Sequence, residues 1–207
     1  YRMIIGELTV LDDGPDWNSF WNLYHRGEWE PALLALLKQT DWASKPVFVD
    51  VGAWIGPVTL LASRLAEHVF AVEPDPTAVL GFQANMRASS VRNVTLCRCA
   101  IGPGTSTVTI GQTPGGAWGD SMTSVNHLDG DILTVPAYSL RGLFEAYDIT
   151  RCGLIKLDVE GAEAEILAQA RPFLAELKVP LLVSLHQPLR PDPDRYATIL
   201  GSALEEF

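Results

Sequence analysis

At 207 residues the chain is sized for one domain, and 47% hydrophobic residues are ample for a core. A formal charge of −10 argues against a broad nucleic-acid surface, which would be basic. No apolar run reaches the length of a membrane span, and no basic segment followed by a long apolar one reads as a secretory signal.

Residues 1–45 set Trp17, Phe20, Trp21 and Tyr24 between polar positions and then run into EPALLALLKQ (30–39). Helices are expected over about 16–24 and over 30–39, the second with Pro31 in its first turn. This helical, aromatic segment is expected to pack on or cover a site carried by residues 46–207. KPVFVDVG predicts a strand, GPVTLLASRLAEH a helix, VFAVEP a second strand ending at Glu73, PTAVLGFQANMRAS a helix, and NVTLCRCAI a third strand. Residues 102–136 are rich in Gly, Thr and Ser and read as an irregular insert. Within it, 105–110 and 123–126 suit a small hairpin or lid. Regular structure resumes with a helix over 139–146, a fourth strand in GLIKLDVEG, a helix over 162–170, a fifth strand in VPLLVSLH and a last helix over 194–206.

Short apolar strands alternating with amphipathic helices predict an α/β fold with a mostly parallel sheet covered on both faces. Ligands of such sheets sit beyond the strands' carboxyl ends. The residues there are 50–56, Glu73, 99–101, 158–161 and His186. Cys97, Cys99 and Cys152 show no zinc spacing and fit a reduced, cytoplasmic protein.

In DVGAWIGP, Gly52 permits a sharp turn and close approach of a ligand to Ala53 and Trp54. Gly56 opens a helix whose N–H groups can hold a negative group. Asp50 can accept from an ammonium, directly or through water. Trp54 occupies the place of the second glycine in a dinucleotide fingerprint, so a ligand without a pyrophosphate is expected. Glu73, before Pro74, stands where a carboxylate accepts from both ribose hydroxyls. S-adenosylmethionine combines adenosine and an amino acid without a pyrophosphate. Asp75 is better placed to cap the following helix.

FVDVGAWIGPVTL, AVEPDP, NVTLCRCAIG and IKLDVEGAEAEIL, in this order, resemble the FkbM family of S-adenosylmethionine-dependent methyltransferases. The resemblance covers about residues 27–186 and implies a Rossmann-like class I methyltransferase sandwich with core order 3-2-1-4-5. It implies that Asp50, Gly52 and Gly56 belong to the first donor loop and that Glu73 binds ribose. Cys99, Ala100 and Ile101 would lie near adenine, and Asp158, Glu160 and Gly161 would face donor and substrate. The family loop usually has Asn at the position of Trp54. The family's terminal antiparallel hairpin is not expected from this chain, which stops after the helix following the fifth strand. An uncovered sheet edge invites association, and a homodimer would cover it.

A hydroxyl acceptor must lose a proton during methyl transfer, and general-base help contributes about 10²–10⁴-fold. Asp158, Glu160 and His186 are the catalytic candidates; Glu160 serves equally as a helix cap and His186 as a ring bonded to backbone. Glu163 is expected to be an exposed first-turn acid favouring the helix dipole. Lys156 either reaches a sheet edge or pairs with an acid. Trp29, Trp118 and His127 are candidate substrate contacts, with Trp118 suited to a mobile lid, although Trp17, Trp21 and Trp29 equally suit a core. No required metal is expected. The predicted activity is O-methylation of a hydroxyl on a small molecule, sugar or natural product. A non-catalytic adenosyl-ligand module, an N-methyltransferase and a nicotinamide oxidoreductase are the rivals.

Overall fold

The computed structural model describes residues 2–11, 14, 17–102, 104, 106–112, 115–126, 130–186 and 193–204. In chain order the elements are β1 (Arg2–Ile5), β2 (Leu8–Leu11), α1 (Trp17–His25), α2 (Pro31–Gln39), β3 (Val47–Val51), α3 (Pro57–Ala62), β4 (His68–Val72), α4 (Pro76–Ala88) and β5 (Val94–Cys97). Then come β6 (Ala100–Ile101), β7 (Ser106–Gly111), β8 (Ile132–Tyr138), α5 (Leu140–Ala146), β9 (Cys152–Leu157), α6 (Glu163–Leu177), β10 (Leu181–Val183) and α7 (Pro193–Leu204). No described helix is long and apolar enough to cross a membrane.

Five strands pair in the order β10-β9-β3-β4-β5, every pairing parallel. Numbered by the expected core strands, this is 3-2-1-4-5 read from the β5 edge. The strand residues explain why the sheet is central. All six positions of β9 and four of the five in β3 are buried, as in a sheet covered on both faces. Side chains alternate between the faces. Phe48 and Leu154 join Leu33, Leu37, Val58 and Ala62 beneath α2 and α3. Val49, Val51, Ile155 and Leu157 join Leu143, Phe144, Ile166, Leu167 and Leu174 beneath α5 and α6. Each such buried aliphatic or aromatic side chain contributes about 1.5–3 kcal/mol.

The helices between strands begin where the sequence signals them. Asp75 caps α4, its Oδ1 accepting from the N–H groups of Thr77 at 2.7 Å and Ala78 at 3.1 Å, with Pro76 in the first turn. Ser139 caps α5 by accepting from Gly142 N–H. α3 starts at Pro57 without a side-chain cap.

Two parts depart from the expectation. The chain begins with a β1–β2 hairpin that the composition did not announce. It is sewn to α4: Leu11 N–H donates to Asn85 Oδ1 at 2.7 Å, and the Ser89 hydroxyl exchanges bonds with the Thr9 backbone. In the insert, β7 does not pair with 123–126 along its length. Its partner is β8, antiparallel over six residues, and only Gly111 and Ser124 form a bridge. β6 joins β8 on its other side, giving a second, three-stranded sheet.

Candidate active site

A cavity of about 550 Å³ opens beyond the carboxyl ends of the central strands. Gly52, Ala53 and Trp54 after β3, Glu73 and Pro74 after β4, and Cys99, Ala100 and Ile101 after β5 line it. Asp158 and Glu160 after β9 and His186 after β10 line its other side. Phe20 and Leu23 of α1, Trp29 and Glu30, and residues 120–125 of the insert complete the wall. The volume lies in the ordinary range for small-molecule and cofactor sites.

Gly52 takes φ 78° and donates its N–H to Val72 O at 3.0 Å, as does Ala53. A Cβ on Gly52 would collide with the Asp158 carbonyl, so the glycine lets the tips of β3 and β9 touch. Gly56 does not line the cavity: its N–H is taken by Ala53 O, and a Cβ there would strike the Phe82 ring. Pro57 and Val58, the first residues of the helix it opens, do line the cavity.

Glu73 is buried, and each carboxylate oxygen accepts one backbone N–H at 2.8 Å, from Trp54 and from Asp75. Burial pushes its pKa up to about 7, against the lowering effect of those two bonds. Each oxygen retains a lone pair for a further donor. A buried carboxylate with spare acceptor capacity on a cavity wall fits a ribose diol, so the residues present suit an adenosyl group.

Trp54 has φ 49°, a left-handed conformation that costs a bulky residue about 1–2 kcal/mol. Its backbone N–H is bound to Glu73, its ring meets Phe20 edge-on at 4.6 Å, and its Nε1–H donates to Gly119 O at 2.8 Å. The Trp17 indole donates to the same carbonyl at 2.9 Å. Asp75 Oδ2 in turn accepts from Gly119 N–H at 2.7 Å and the Thr123 hydroxyl at 2.9 Å. The insert is thus fastened over the first loop.

Asp50 is corrected more sharply. It is fully buried and absent from the cavity wall, its Oδ2 accepting from the Thr59 hydroxyl at 2.6 Å. Asp50 and Lys156 are register partners on β3 and β9, so both side chains fall on the same face. Lys156 Nζ lies 3.3 Å from Asp50 Oδ1, 3.1 Å from Asp158 Oδ2, and donates to Gly52 O at 3.0 Å. Burial alone would lower the ammonium pKa, but the two carboxylates outweigh it and the net shift is upward. The cation that Asp50 meets belongs to the protein. Lys156 is central in the sheet, between β3 and β10, and pairs with two acids.

The acids after β9 surround His186. Its Nε2 lies 3.5 Å from Asp158 Oδ1 and 3.7 Å from Glu160 Oε2, and its Nδ1 lies 3.0 Å from Glu163 Oε1. Glu163 is therefore not the exposed first-turn acid expected. It is fully buried, and its Oε1 also accepts from the N–H groups of Val159 at 3.2 Å and Gly161 at 3.0 Å. The reason is the backbone: Glu160 at φ 54° and Gly161 at φ 100° bend the chain back over the helix start. The bond to Glu163, opposed by burial and aided by Glu160 and Asp158, pushes His186 up to about 9. Burial pushes Glu160 up to about 7. Its Oε2 is buried without a hydrogen-bond partner among the described residues. Asp158, Glu160 and His186 offer one ligand atom each within 4.8 Å of one another. Lys156 already pairs with Asp158 in this group.

Of the expected substrate contacts, Trp29 lines the cavity within the aromatic group of Phe20 and Tyr24. Trp118 does not line it; its ring packs with Ala100, Ile110, Val135 and Ala137 of the second sheet. With its amide oxygen turned toward Trp118, Gln112 accepts from both the backbone and indole N–H groups, which fixes the ring there. His127 lies outside the described residues. The reading of the sequence did not place Phe20 or residues 120–122 at the site and gave Glu163 a solvated position, whereas the pairing of Lys156 with an acid was one of its two alternatives.

A parallel α/β sheet with its cavity at the strand tips, and a buried acid after the second core strand, is the architecture of a Rossmann-like methyltransferase-type fold. The family model for the methyltransferase FkbM domain matches residues 50–200, and the chain belongs to that family. Among solved structures it is similar to a precorrin-6y C5,15-methyltransferase from Geobacter metallireducens GS-15. The identity is 16%, with 84% of this chain and 69% of that one covered, at a TM-score of 0.46. No curated protein matches the sequence.

Proposed function

We propose that this chain is an S-adenosylmethionine-dependent methyltransferase acting on a hydroxyl of a small molecule, sugar or natural product. One observation carries the reading: the buried Glu73 carboxylate and the Asp158–Glu160–His186 group face the same cavity from different strand tips. Bound in such a cavity, S-adenosylmethionine supplies an electrophilic methyl group on a sulfonium. Glu73 would accept from the ribose hydroxyls, and the backbone of 99–101 would face adenine. Asp158, paired through Oδ2 with Lys156, would present Oδ1 to the donor's positive end.

At the acceptor end the hydroxyl proton needs a destination, and His186 Nε2 supplies one. The bond to Glu163 raises the His186 pKa to about 9, so the ring must release a proton to solvent before Nε2 can accept the one from the hydroxyl. It sheds that proton more readily when another positive charge enters the cavity. The methyl then moves from sulfur to oxygen, the hydroxyl proton goes to His186, and alignment of acceptor and donor lowers the barrier by several kcal/mol.

Titration calorimetry with S-adenosylhomocysteine tests the donor site, and labelled S-adenosylmethionine with a panel of hydroxylated acceptors tests transfer. Binding in the micromolar range that Glu73→Ala abolishes supports the reading; competition by NAD in place of S-adenosylhomocysteine would sink it.

A further inference from the structure

We infer that Glu163 is a positioning residue that holds the His186 ring with Nδ1 protonated and Nε2 turned into the cavity. The inference rests on the methyltransferase reading for the purpose of the ring, but not for its orientation.

Three features carry it. Glu163 is wholly buried although it opens α6, so its charge is not spent on solvent. Its Oε1 is fixed by the Val159 and Gly161 N–H groups, which places the acceptor before the imidazole arrives. The third partner of that oxygen is His186 Nδ1 at 3.0 Å, while Nε2 has no oxygen closer than 3.5 Å among the described residues. One nitrogen is therefore committed to a buried carboxylate, and the other faces the cavity wall shared with Asp158 and Glu160. An ionised carboxylate only accepts, so Nδ1 must carry the proton in every ring state. When the ring is neutral, Nε2 is then the basic lone pair. This is the arrangement in which a buried acid orients a histidine base. The charged groups around the ring are Asp158 and Glu160 from the loop after β9, Glu163 from α6, and Lys156 of β9 behind Asp158.

The test is nitrogen-detected NMR of the histidine side chains of the whole chain, which has four. His186→Gln assigns the signal, and the state of each ring nitrogen is read across pH 5 to 10.5. In the unsubstituted protein the neutral ring is expected as the Nδ1–H tautomer, with a titration midpoint displaced upward toward 9. Glu163→Gln keeps an accepting oxygen but removes the charge. The Nδ1–H tautomer should persist while the midpoint falls by a unit or more toward the ordinary 6.5. Glu163→Met keeps the length and removes the acceptor, so the ring should revert to the Nε2–H form that a free histidine side chain prefers.

An Nε2–H tautomer in the unsubstituted protein would overturn the inference, whatever the Glu163 variants do. A Glu163→Met ring still in the Nδ1–H form would overturn it equally. Calorimetry with S-adenosylhomocysteine on the same samples reads the donor site apart from this. Failure to bind would defeat the proposed function while leaving the Glu163–His186 orientation measurable.

Discussion

Replacing Lys156 by Met removes the cation between two carboxylates while nearly preserving side-chain volume. Asp158 is partly exposed and can rehydrate, but Asp50 is fully buried and keeps only the Thr59 hydroxyl. An unpaired buried carboxylate escapes its desolvation cost by taking up a proton. At pH 7 that costs at most the interval from an ordinary Asp pKa of about 3.9, roughly three units or about 4 kcal/mol, less the part by which burial already raises Asp50 in the unsubstituted protein. This agrees with the 3–5 kcal/mol typical of breaking one side of a buried pair. In a chain of this size about 1 kcal/mol moves Tm by roughly 2–4 °C, so Lys156→Met should melt roughly 8–16 °C lower at pH 7. The variant's Asp50 has a folded-state pKa raised far above its unfolded value. Its penalty is therefore largest at high pH and fades as pH falls toward 4. At pH 5 the deficit should shrink to about 1.5 kcal/mol. Circular-dichroism melts of both proteins at pH 7 and pH 5 give the comparison, and Asp50→Asn in the variant should restore most of the loss at pH 7. A Tm change under about 3 °C at pH 7, or equal deficits at the two pH values, would refute the reasoning.

Three other outcomes follow from the geometry. Burial raises Glu73 to about 7, so S-adenosylhomocysteine that needs its ionised form should bind about tenfold more weakly at pH 6 than at pH 8. Calorimetry across that range should show the slope in the unsubstituted protein and a flat, weaker profile in Glu73→Gln. Trp54 sits at φ 49°, so Trp54→Gly should be more stable than Trp54→Ala by about 1 kcal/mol, as read by urea unfolding. An alanine variant as stable as the glycine one would show the backbone to be unstrained. Gly52→Ala combines φ 78° with a collision against the Asp158 carbonyl and should cost at least about 3 kcal/mol in the same assay.

The parallel core was legible because its information is local. β3 and β9 are short apolar runs bounded by turn residues, and the helices between them carry their own stop and start signals. The cavity residues at the strand tips followed from that layout. What was not legible depends on contacts distant in sequence. The strand sequences RMII and LTVL do not alternate cleanly between polar and apolar residues, and the burial of the hairpin arises against α4, the aromatic group of α1, Ile55 and Leu60. β8 carries Pro136, and four of its seven residues are exposed, so neither periodicity nor propensity marks it as the middle strand of a sheet. Asp50 reads as a ligand because the sequence shows the acid but not its register partner; the pairing with Lys156 decides its role. Glu163 reads as a solvated helix-start acid because that is the usual place for one. The left-handed turn at Glu160 that folds the chain over it has no sequence marker beyond the glycine that follows.

The irregular insert has a consequence for the whole site. Three non-glycine residues lining the cavity, Glu30, Trp54 and Glu160, hold left-handed backbone, a conformation that persists only where the surroundings impose it, and the insert reaches two of them, Trp54 and Glu160. The same segment touches both. Gly119 O accepts the Trp54 indole, and the Ser124 hydroxyl donates to Glu160 O at 2.7 Å. Gly119 is itself tied to Asp75, the cap of α4, and Ser124 bridges to Gly111 at the end of β7. The second sheet therefore acts as a rigid base from which one short segment reaches across to the first donor loop on one side and the acid loop on the other. The ties come from the Gly119 backbone and from the short hydroxyl side chains of Thr123 and Ser124. The two halves of the proposed reaction, donor binding and acceptor deprotonation, are thereby held in one frame by residues that carry out neither.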